Sequence, residues 1–398
     1  MSMNLFYNIA LKITFFVLKI ISFFNKKIAL FVNGRKYVFE KLKGNFDKND
    51  TVIWFHCASL GEFEQGRPVI EKCKDTYKNV KILVTFFSPS GYEVRKDYKD
   101  ADVITYLPLD TTRNAKMFIE IVNPILAVFV KYEFWPNLLK VLKEKKIDTI
   151  LISGIFRENQ ALFKWYGSFI RRSLSSFNHF FVQTQRSKKL LNNINFTNVS
   201  VSGDTRFDRV YELTNQNIDL EKIKNFKDKK VTLVAGSTWD KDEQLIINYI
   251  NTIATTDQKF IIAPHNIKPK GIQNLYNSIS KRVTLLSQVT NENICDNQVL
   301  IIDSIGLLSK IYKYANIAYV GGGFGAGIHN MLEPATFAVP ILIGPNYHKF
   351  NEAIELIELN ACSVINNQDE LNEQLNLLFN SKMEREKKGE ISLEYIKN

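Results

Sequence analysis

Hydrophobic residues in this chain come in short runs separated by segments of helical spacing, and the rhythm occurs twice. Apolar runs of strand type fall at Val52–His56, Val80–Thr85, Val103–Tyr106, Ile125–Val130, Thr149–Ser153, Phe180–Gln183 and Val199–Ser202. Between them, segments such as Glu64–Lys72, Asn114–Ile121 and Pro136–Glu144 repeat their apolar positions every three or four residues. This alternation predicts a parallel sheet covered by helices. Leu213–Lys230 is polar and charged, with no strand signal. A second series follows at Val231–Ala235, Lys259–Ala263, Val283–Leu286, Val299–Ile302, Ile317–Val320 and Ile341–Ile343, and the tail from Asn366 is polar and helical in spacing. The pattern predicts an α/β chain with two parallel-sheet domains, residues 29–212 and 231–380, joined by a linker at 213–230 and ending in a helical tail at 381–398. A cleft between the domains would place ligands at the carboxyl ends of strands.

The first segment breaks this rhythm. Residues 5–24 are apolar except for Asn8, Lys12, Thr14, Lys19 and Ser22. Drawn as a helix, Asn4, Asn8, Lys12, Lys19, Ser22 and Lys26 share one narrow stripe, interrupted by Phe15. Two lysines disfavour a free spanning helix. A narrow polar stripe on a broad apolar helix fits insertion at a bilayer interface, so residues 1–28 are predicted as a membrane-associating helix. No small-residue cleavage site follows, which argues against a removed signal peptide.

Composition sharpens this picture. At 398 residues, 45% of them apolar, the chain is long for one core and too apolar for disorder. The net charge is +11, and residues 1–50 hold nine Lys/Arg against three acids. A basic end suits an anionic membrane surface or an anionic substrate. No nucleic-acid motif is present. The four cysteines form no CxxC, as expected of reduced thiols.

Six loops carry candidate chemistry. The most distinctive is Ala318–Ala335, an apolar run that breaks into five glycines within seven residues and resumes at His329-Asn330-Met331-Leu332-Glu333-Pro334. Strand, glycine loop and helix start form a device for holding an anion, with Gly322, Gly323, His329, Asn330 and Glu333 facing a nucleotide. Glu333 could cap the helix or grip a ribose. In His56-Cys57-Ala58-Ser59-Leu60-Gly61-Glu62, Glu62 falls at a helix start, where a carboxylate can take a proton from an attacking hydroxyl; the alternative is a plain capping role. Glu64 is the competing carboxylate and is expected in solvent. Glu133 in Lys131-Tyr132-Glu133-Phe134-Trp135-Pro136-Asn137 points to the same strand-end region. Gly236-Ser237-Thr238 suits phosphate, and the following Asp240 and Asp242 form a D-x-D pair that could hold a metal, though nothing else requires one. His265 could donate to phosphate or base. Arg206 could meet an anionic substrate or form a salt bridge.

Taken together and in order, these residues resemble the transferases of 3-deoxy-D-manno-octulosonic acid (Kdo). The carriers are His56–Glu62, Ser88-Pro89-Ser90-Gly91, Leu107-Pro108-Leu109-Asp110, Glu133–Asn137, Gly203–Asp208, Ala235–Thr238 and His329–Ala335, spanning about residues 30 to 365. The resemblance implies a GT-B fold, two Rossmann-like domains facing a cleft, and a membrane-bound enzyme at the cytoplasmic face of the inner membrane. It implies a CMP-Kdo donor, a lipid A precursor as acceptor, no cofactor, no metal, and inversion at the anomeric carbon. Glu62 matches the family's proposed base and Glu133 its second acidic position. The donor would contact Gly236, Ser237, Thr238, His265, Gly322, Gly323, His329, Asn330 and Glu333, and the acceptor Ser59, Gly61 and Arg206. Three positions depart from the pattern. Lys131-Tyr132-Glu133 stands where Glu-Thr-Glu is common, Pro264-His265-Asn266 where Pro-Arg-His is common, and Arg206 where Lys is usual. The rival expectations are a GT-B enzyme using a UDP-sugar on a lipid acceptor, and a membrane-bound binding protein without catalysis.

Overall fold

A computed structural model of the chain describes residues 3–207, 210, 220–290 and 294–397. The chain divides into two compact units, Met1–Asp208 and Arg209–Asn398. The N-terminal sheet has seven strands: β1 (Val52–Cys57), β2 (Lys81–Phe86), β3 (Val103–Tyr106), β4 (Leu126–Val130), β5 (Asp148–Gly154), β6 (His179–Val182) and β7 (Val199–Val201). Their order is β3-β2-β1-β4-β5-β6-β7, and every pairing is parallel. The order reverses between β1 and β4, and open α/β sheets bind ligands outside the carboxyl ends at such a point. All six residues of β1 are buried, which is why it read as a continuous apolar run. Trp54 meets Phe118 and Phe129 edge-on, at ring centroids 4.8 and 5.2 Å away. Each such buried ring contributes roughly 1.5–3 kcal/mol.

The helices of this unit are α1 (Met3–Ile21), α2 (Lys26–Asn33), α3 (Val38–Lys43), α4 (Leu60–Thr76), α5 (Pro89–Arg95), α6 (Thr112–Val122), α7 (Pro136–Glu144), α8 (Ser168–Leu174) and α9 (Gln185–Asn192). The helix expected over residues 1–28 stops at Ile21. Asn25 then caps α2, accepting from the N–H groups of Lys27 and Ile28. Part of the polar side of α1 faces the protein. Tyr7 donates to Asp110 (3.0 Å), and Asn8 accepts from the Thr112 N–H (3.0 Å). Leu5, Phe6, Ile13, Phe16, Val17 and Ile20 are exposed. The helix is long and apolar enough to cross a membrane, and no residue of Asn4–Ile21 is buried.

The C-terminal sheet contains β8 (Val231–Thr238), β9 (Gln258–Pro264), β10 (Val283–Leu285), β11 (Val299–Ile301), β12 (Ile317–Val320), β13 (Ile341–Ile343) and β14 (Cys362–Val364), in the order β10-β11-β9-β8-β12-β13-β14. Its reversal lies between β8 and β12. All thirteen anticipated runs are strands. The unanticipated one is β14, three residues at the sheet edge with Ser363 and Val364 only half-buried, too short to show a period. The 213–230 segment is more than a linker. Residues 213–219 lie outside the described residues, but Glu221–Lys227 is a helix that buries Ile223 and Phe226. The predicted tail is the helix Lys382–Lys397, and a side chain at Gly389 would strike the Ala338 carbonyl.

Candidate active site

At the N-terminal reversal, β1 ends at Cys57 and Ser59 opens α4 as its N-cap. Glu62 is the third residue of that helix, and its carboxylate accepts from the Ser59 hydroxyl. This side-chain pair holds Glu62 in one orientation at the helix start, where the macrodipole favours negative charge. Glu62 is 8% exposed, Ser59 is half-buried and Gly61 is exposed.

Beside it, β4 ends at Val130, and Lys131 takes a left-handed backbone conformation (φ 69°). Such a conformation is costly for a lysine and persists only where the surroundings enforce it. Burial pulls the Lys131 ammonium below its ordinary range, while the Glu62 carboxylate pushes it back up. Burial raises the Tyr132 phenol, and Glu62 adds to that. The buried Cys57 thiol is pushed well up by desolvation, then by Glu62 and Glu133. Glu62, Glu133, Lys131 and Tyr132 therefore share one electrostatic neighbourhood.

Glu133 lies 3.8 Å from His56 Nε2. Trp135 Nε1 donates to that same nitrogen at 2.9 Å. An indole N–H can only donate, so Nε2 must accept and the His56 proton must sit on Nδ1, 2.9 Å from the Thr85 hydroxyl. Thr85 also accepts from Trp54 Nε1 (2.8 Å) and passes its own proton toward the Phe55 carbonyl (3.4 Å). His56 is thereby oriented with Nε2 as acceptor toward Trp135 and Nδ1 toward Thr85.

Arg206 is tied to Asp204, with Nε at 2.8 Å and the terminal nitrogen at 2.7 Å from one carboxylate oxygen. Asp204 also accepts from Gln65 Nε2 at 3.3 Å, and both Asp204 and Arg206 act on Lys131. The salt-bridge alternative for Arg206 is thus realised beside Lys131. Asp208, the last residue of its motif, lies outside the described residues. Glu64 is corrected: it is half-buried and paired with Arg95 at 2.5 Å, because α4 turns it toward α5.

In the C-terminal unit the glycine loop is organised by Asp242, which is 1% exposed. Its carboxylate accepts from Tyr319 OH (2.8 Å), Gly322 N (2.9 Å) and Trp239 N (2.9 Å). That commitment removes Asp242 from the D-x-D metal alternative. Part of the loop's own backbone is bonded internally. Gly321 N bonds Gly236 O, Gly325 N bonds Gly322 O, and His329 N bonds Gly321 O. The helix after the loop is one turn, Leu332–Ala335, whose first N–H bonds Asn330 Oδ1 at 3.1 Å. So short a helix has little dipole to offer an anion. Gly322 is needed for its positive φ of 94°, and Gly323 for packing, since a Cβ there would lie 2.6 Å from Gly344. Gly236 likewise turns its side-chain position onto Tyr312 rather than outward.

What remains open to a ligand lies around Trp239. Its ring stacks on His265 at 4.5 Å, His265 stacks on His329 at 4.5 Å, and Trp239 Nε1 donates to His329 Nε2 at 3.0 Å. Burial lowers both histidines, His265 lowers His329 further, and Asp242 partly opposes that. Near pH 7 both are neutral donors rather than cations. Asn330 Nδ2 reaches Glu333 at 3.1 Å, and Thr238 donates to Glu243 at 2.9 Å. Ser237 holds a positive φ of 54° at the end of β8. A groove of about 540 Å³ runs from Thr238 and Trp239 past Pro264 and Asn266 to Lys268 and Lys270.

Residues 34–209 match the family model described as 3-deoxy-D-manno-octulosonic-acid transferase (kdotransferase). A 3-deoxy-D-manno-octulosonic acid transferase of Aquifex aeolicus is 30% identical over 374 residues, covering 90% of this chain and 97% of that protein. The chain belongs to the Kdo transferase family. The corresponding transferase of Haemophilus influenzae is 26% identical, over 86% of this chain and 83% of its own. Two solved structures share the fold at low identity. A UDP-GlcNAc 2-epimerase from Neisseria meningitidis aligns with TM-score 0.59, 15% identity and coverage of 86% and 94%. MurG from Acinetobacter baumannii aligns with TM-score 0.53, 11% identity and coverage of 88% and 95%. The chain thus has a GT-B-type fold with two parallel-sheet domains.

Within this Kdo transferase, Ser59, Gly61, Glu62, Glu133 and Arg206 gather at the β1–β4 end, and Ser237, Thr238, His265, Gly322, His329, Asn330 and Glu333 at the β8–β12 end. Sequence reasoning missed Lys131 as a neighbour of both Glu62 and Asp204, and Asp242 as the loop's anchor. The signal for Lys131 was present, as a lone cation closing a buried apolar run.

Proposed function

We propose that this enzyme transfers Kdo from CMP-Kdo to a lipid A precursor, inverting the anomeric centre without a metal, with Glu62 as general base. The observation that carries the reading is the seating of Glu62. It stands at a switch-point helix start, held by Ser59, among Lys131, Tyr132 and Glu133. A fixed carboxylate can accept the proton of an acceptor hydroxyl as that oxygen attacks the donor carbon. Lys131 supplies a cation beside Glu62 toward an anionic group of the donor or the acceptor. The donor nucleotide is assigned to Ser237, Thr238, His265, His329, Asn330 and Glu333, with Gly236, Gly322 and Gly323 shaping the backbone beneath it. The outward apolar face of α1 is assigned to the cytoplasmic leaflet of the inner membrane.

The test is incubation of the purified protein with CMP-Kdo and a lipid A precursor, followed by mass analysis and assay of the released nucleotide. Addition of Kdo with release of CMP is the expected result. Glu62→Gln should cut kcat by roughly 10²–10⁴-fold with donor affinity kept, since a base acts in the transition state. Turnover unchanged in this variant would remove Glu62 from the mechanism.

A further inference from the structure

A groove of about 660 Å³ opens beside the N-terminus of α1, between α7 and α8. Three of its lining side chains, Lys140, Lys143 and Arg172, are cationic, against one carboxylate, Glu144. Glu144 is 3.7 Å from Lys140, an exposed pair worth little, and Lys143 donates to the Ser175 hydroxyl at 2.9 Å. Among the described residues no ion pair involves Arg172. The groove thus keeps a net positive charge, the chemistry that attracts a phosphate oxygen.

Three further observations place this groove at a membrane. Asn4 lines it, and the residues that follow on α1, Leu5 and Phe6, are 49% and 69% exposed. Phe169, also in the lining, touches Tyr7 of α1 with ring centroids 5.9 Å apart. The loop entering α8 carries Trp165, 90% exposed, against the half-exposed ring of Tyr166. Arg171 braces that loop by donating to the carbonyls of Leu162 and Lys164. Adjacent exposed Trp and Tyr on a braced loop are the amphipathic pair that sits at headgroup depth.

We propose that this groove binds the phosphate of an anionic phospholipid headgroup, with Trp165 and Tyr166 inserted at the interface as a second attachment point besides α1. The proposal rests on α1 lying at a bilayer. Charge complementarity selects the occupant: a zwitterionic headgroup would bring its ammonium to three cations. Two attachment points fix the enzyme's orientation on the surface, where one helix alone leaves it free to swing.

The experiment measures binding of the full chain to vesicles of phosphatidylcholine alone and of phosphatidylcholine with 30% phosphatidylglycerol (about one anionic lipid in three). Lys143→Glu with Arg172→Glu should weaken binding to the anionic vesicles by roughly thirtyfold or more. Lys78→Glu with Lys99→Glu makes the same change in net charge elsewhere and should weaken it far less. Lipids brominated near the headgroup should quench tryptophan emission, and Trp165→Ala should abolish that quenching. Equal weakening by the two double variants would overturn the groove in favour of diffuse attraction. Equal binding of the intact chain to both vesicles would overturn it too, while failure to bind either would sink the bilayer reading of α1 instead. If the charge-reversed variant misfolds, Lys140→Gln, Lys143→Gln and Arg172→Gln together replace it, with the same expectation. Inorganic phosphate at millimolar concentration should not release the protein; release would assign the groove to a free anion.

Discussion

Glycines that look interchangeable in the loop after β12 have different tasks. A Cβ at Gly323 would stand 2.6 Å from the backbone of Gly344, and neither strand connection can yield without disturbing β12 or β13. At exposed Gly325 the nearest obstacle is the Gly322 carbonyl at 3.6 Å, an ordinary contact. Gly323→Ala should therefore destabilise the C-terminal unit by about 1–3 kcal/mol, as overpacking does. Gly325→Ala should stay within about 0.5 kcal/mol. Denaturant midpoints of the two variants check this, and equal shifts would mean the 323–344 contact is slack. Asp242 belongs to the same reasoning. Its carboxylate gathers three donors from two strand ends and a helix start, so its acidity serves the shape of the loop rather than a metal or a substrate.

Among the elements, α1 and α7 are joined by one buried carboxylate. Asp110 accepts from the first free N–H groups of α7, Asn137 at 3.0 Å and Leu138 at 2.8 Å, and from Tyr7 of α1. These donors favour the charged form, but burial wins and pushes Asp110 up from 3.8 to about 7. The sign follows. Below pH 3.8 the group is protonated whether folded or not, and its contribution is complete. Between 3.8 and about 7 the folded chain keeps a proton that the unfolded chain has released, so stability is lost as pH rises, by roughly 1.4 kcal/mol per unit, and levels off above about 7. The stability difference between the native protein and Asp110→Asn should thus shrink or reverse from pH 5 to pH 8. Urea unfolding at both pH values checks it, and a pH-independent difference would refute it. This carboxylate also marks the limit of what the amino-acid order reveals. Thirteen strands were legible because each is a short apolar run set between polar segments, and the place of Glu62 in the first turn of a helix was legible because a helix start is local. The partners of Asp110, Asp242 and Lys131 were not. Tyr7 stands 103 positions from Asp110, and Gly322 stands 80 from Asp242. Only the order of strands in the sheet decides which loops meet, and no pattern within one segment encodes that.

For the molecule as a whole, the arrangement of α1 is what the proposed membrane attachment rests on. A soluble helix buries its apolar side and leaves its polar side in water. Here Asn8 is spent on Thr112 and Asn137, while Ile13, Phe16 and Ile20 stand 60%, 64% and 50% exposed, followed by Phe23 and Phe24. That much exposed apolar surface makes sense if a low-dielectric phase covers it, and the +6 of the first fifty residues adds attraction to an anionic leaflet. The two contributions separate by salt. Surface attraction is screened over roughly 8 Å at physiological ionic strength, whereas buried apolar area is not. Ile13→Ser with Phe16→Ser should move the protein from the membrane pellet to the supernatant while its unfolding midpoint stays unchanged, because neither side chain is in a core. The native protein should stay in the pellet at 1 M salt, and the variant's residual binding should vanish there. A variant that stays membrane-bound at high salt would show that another surface, and not this helix, supplies the apolar attachment.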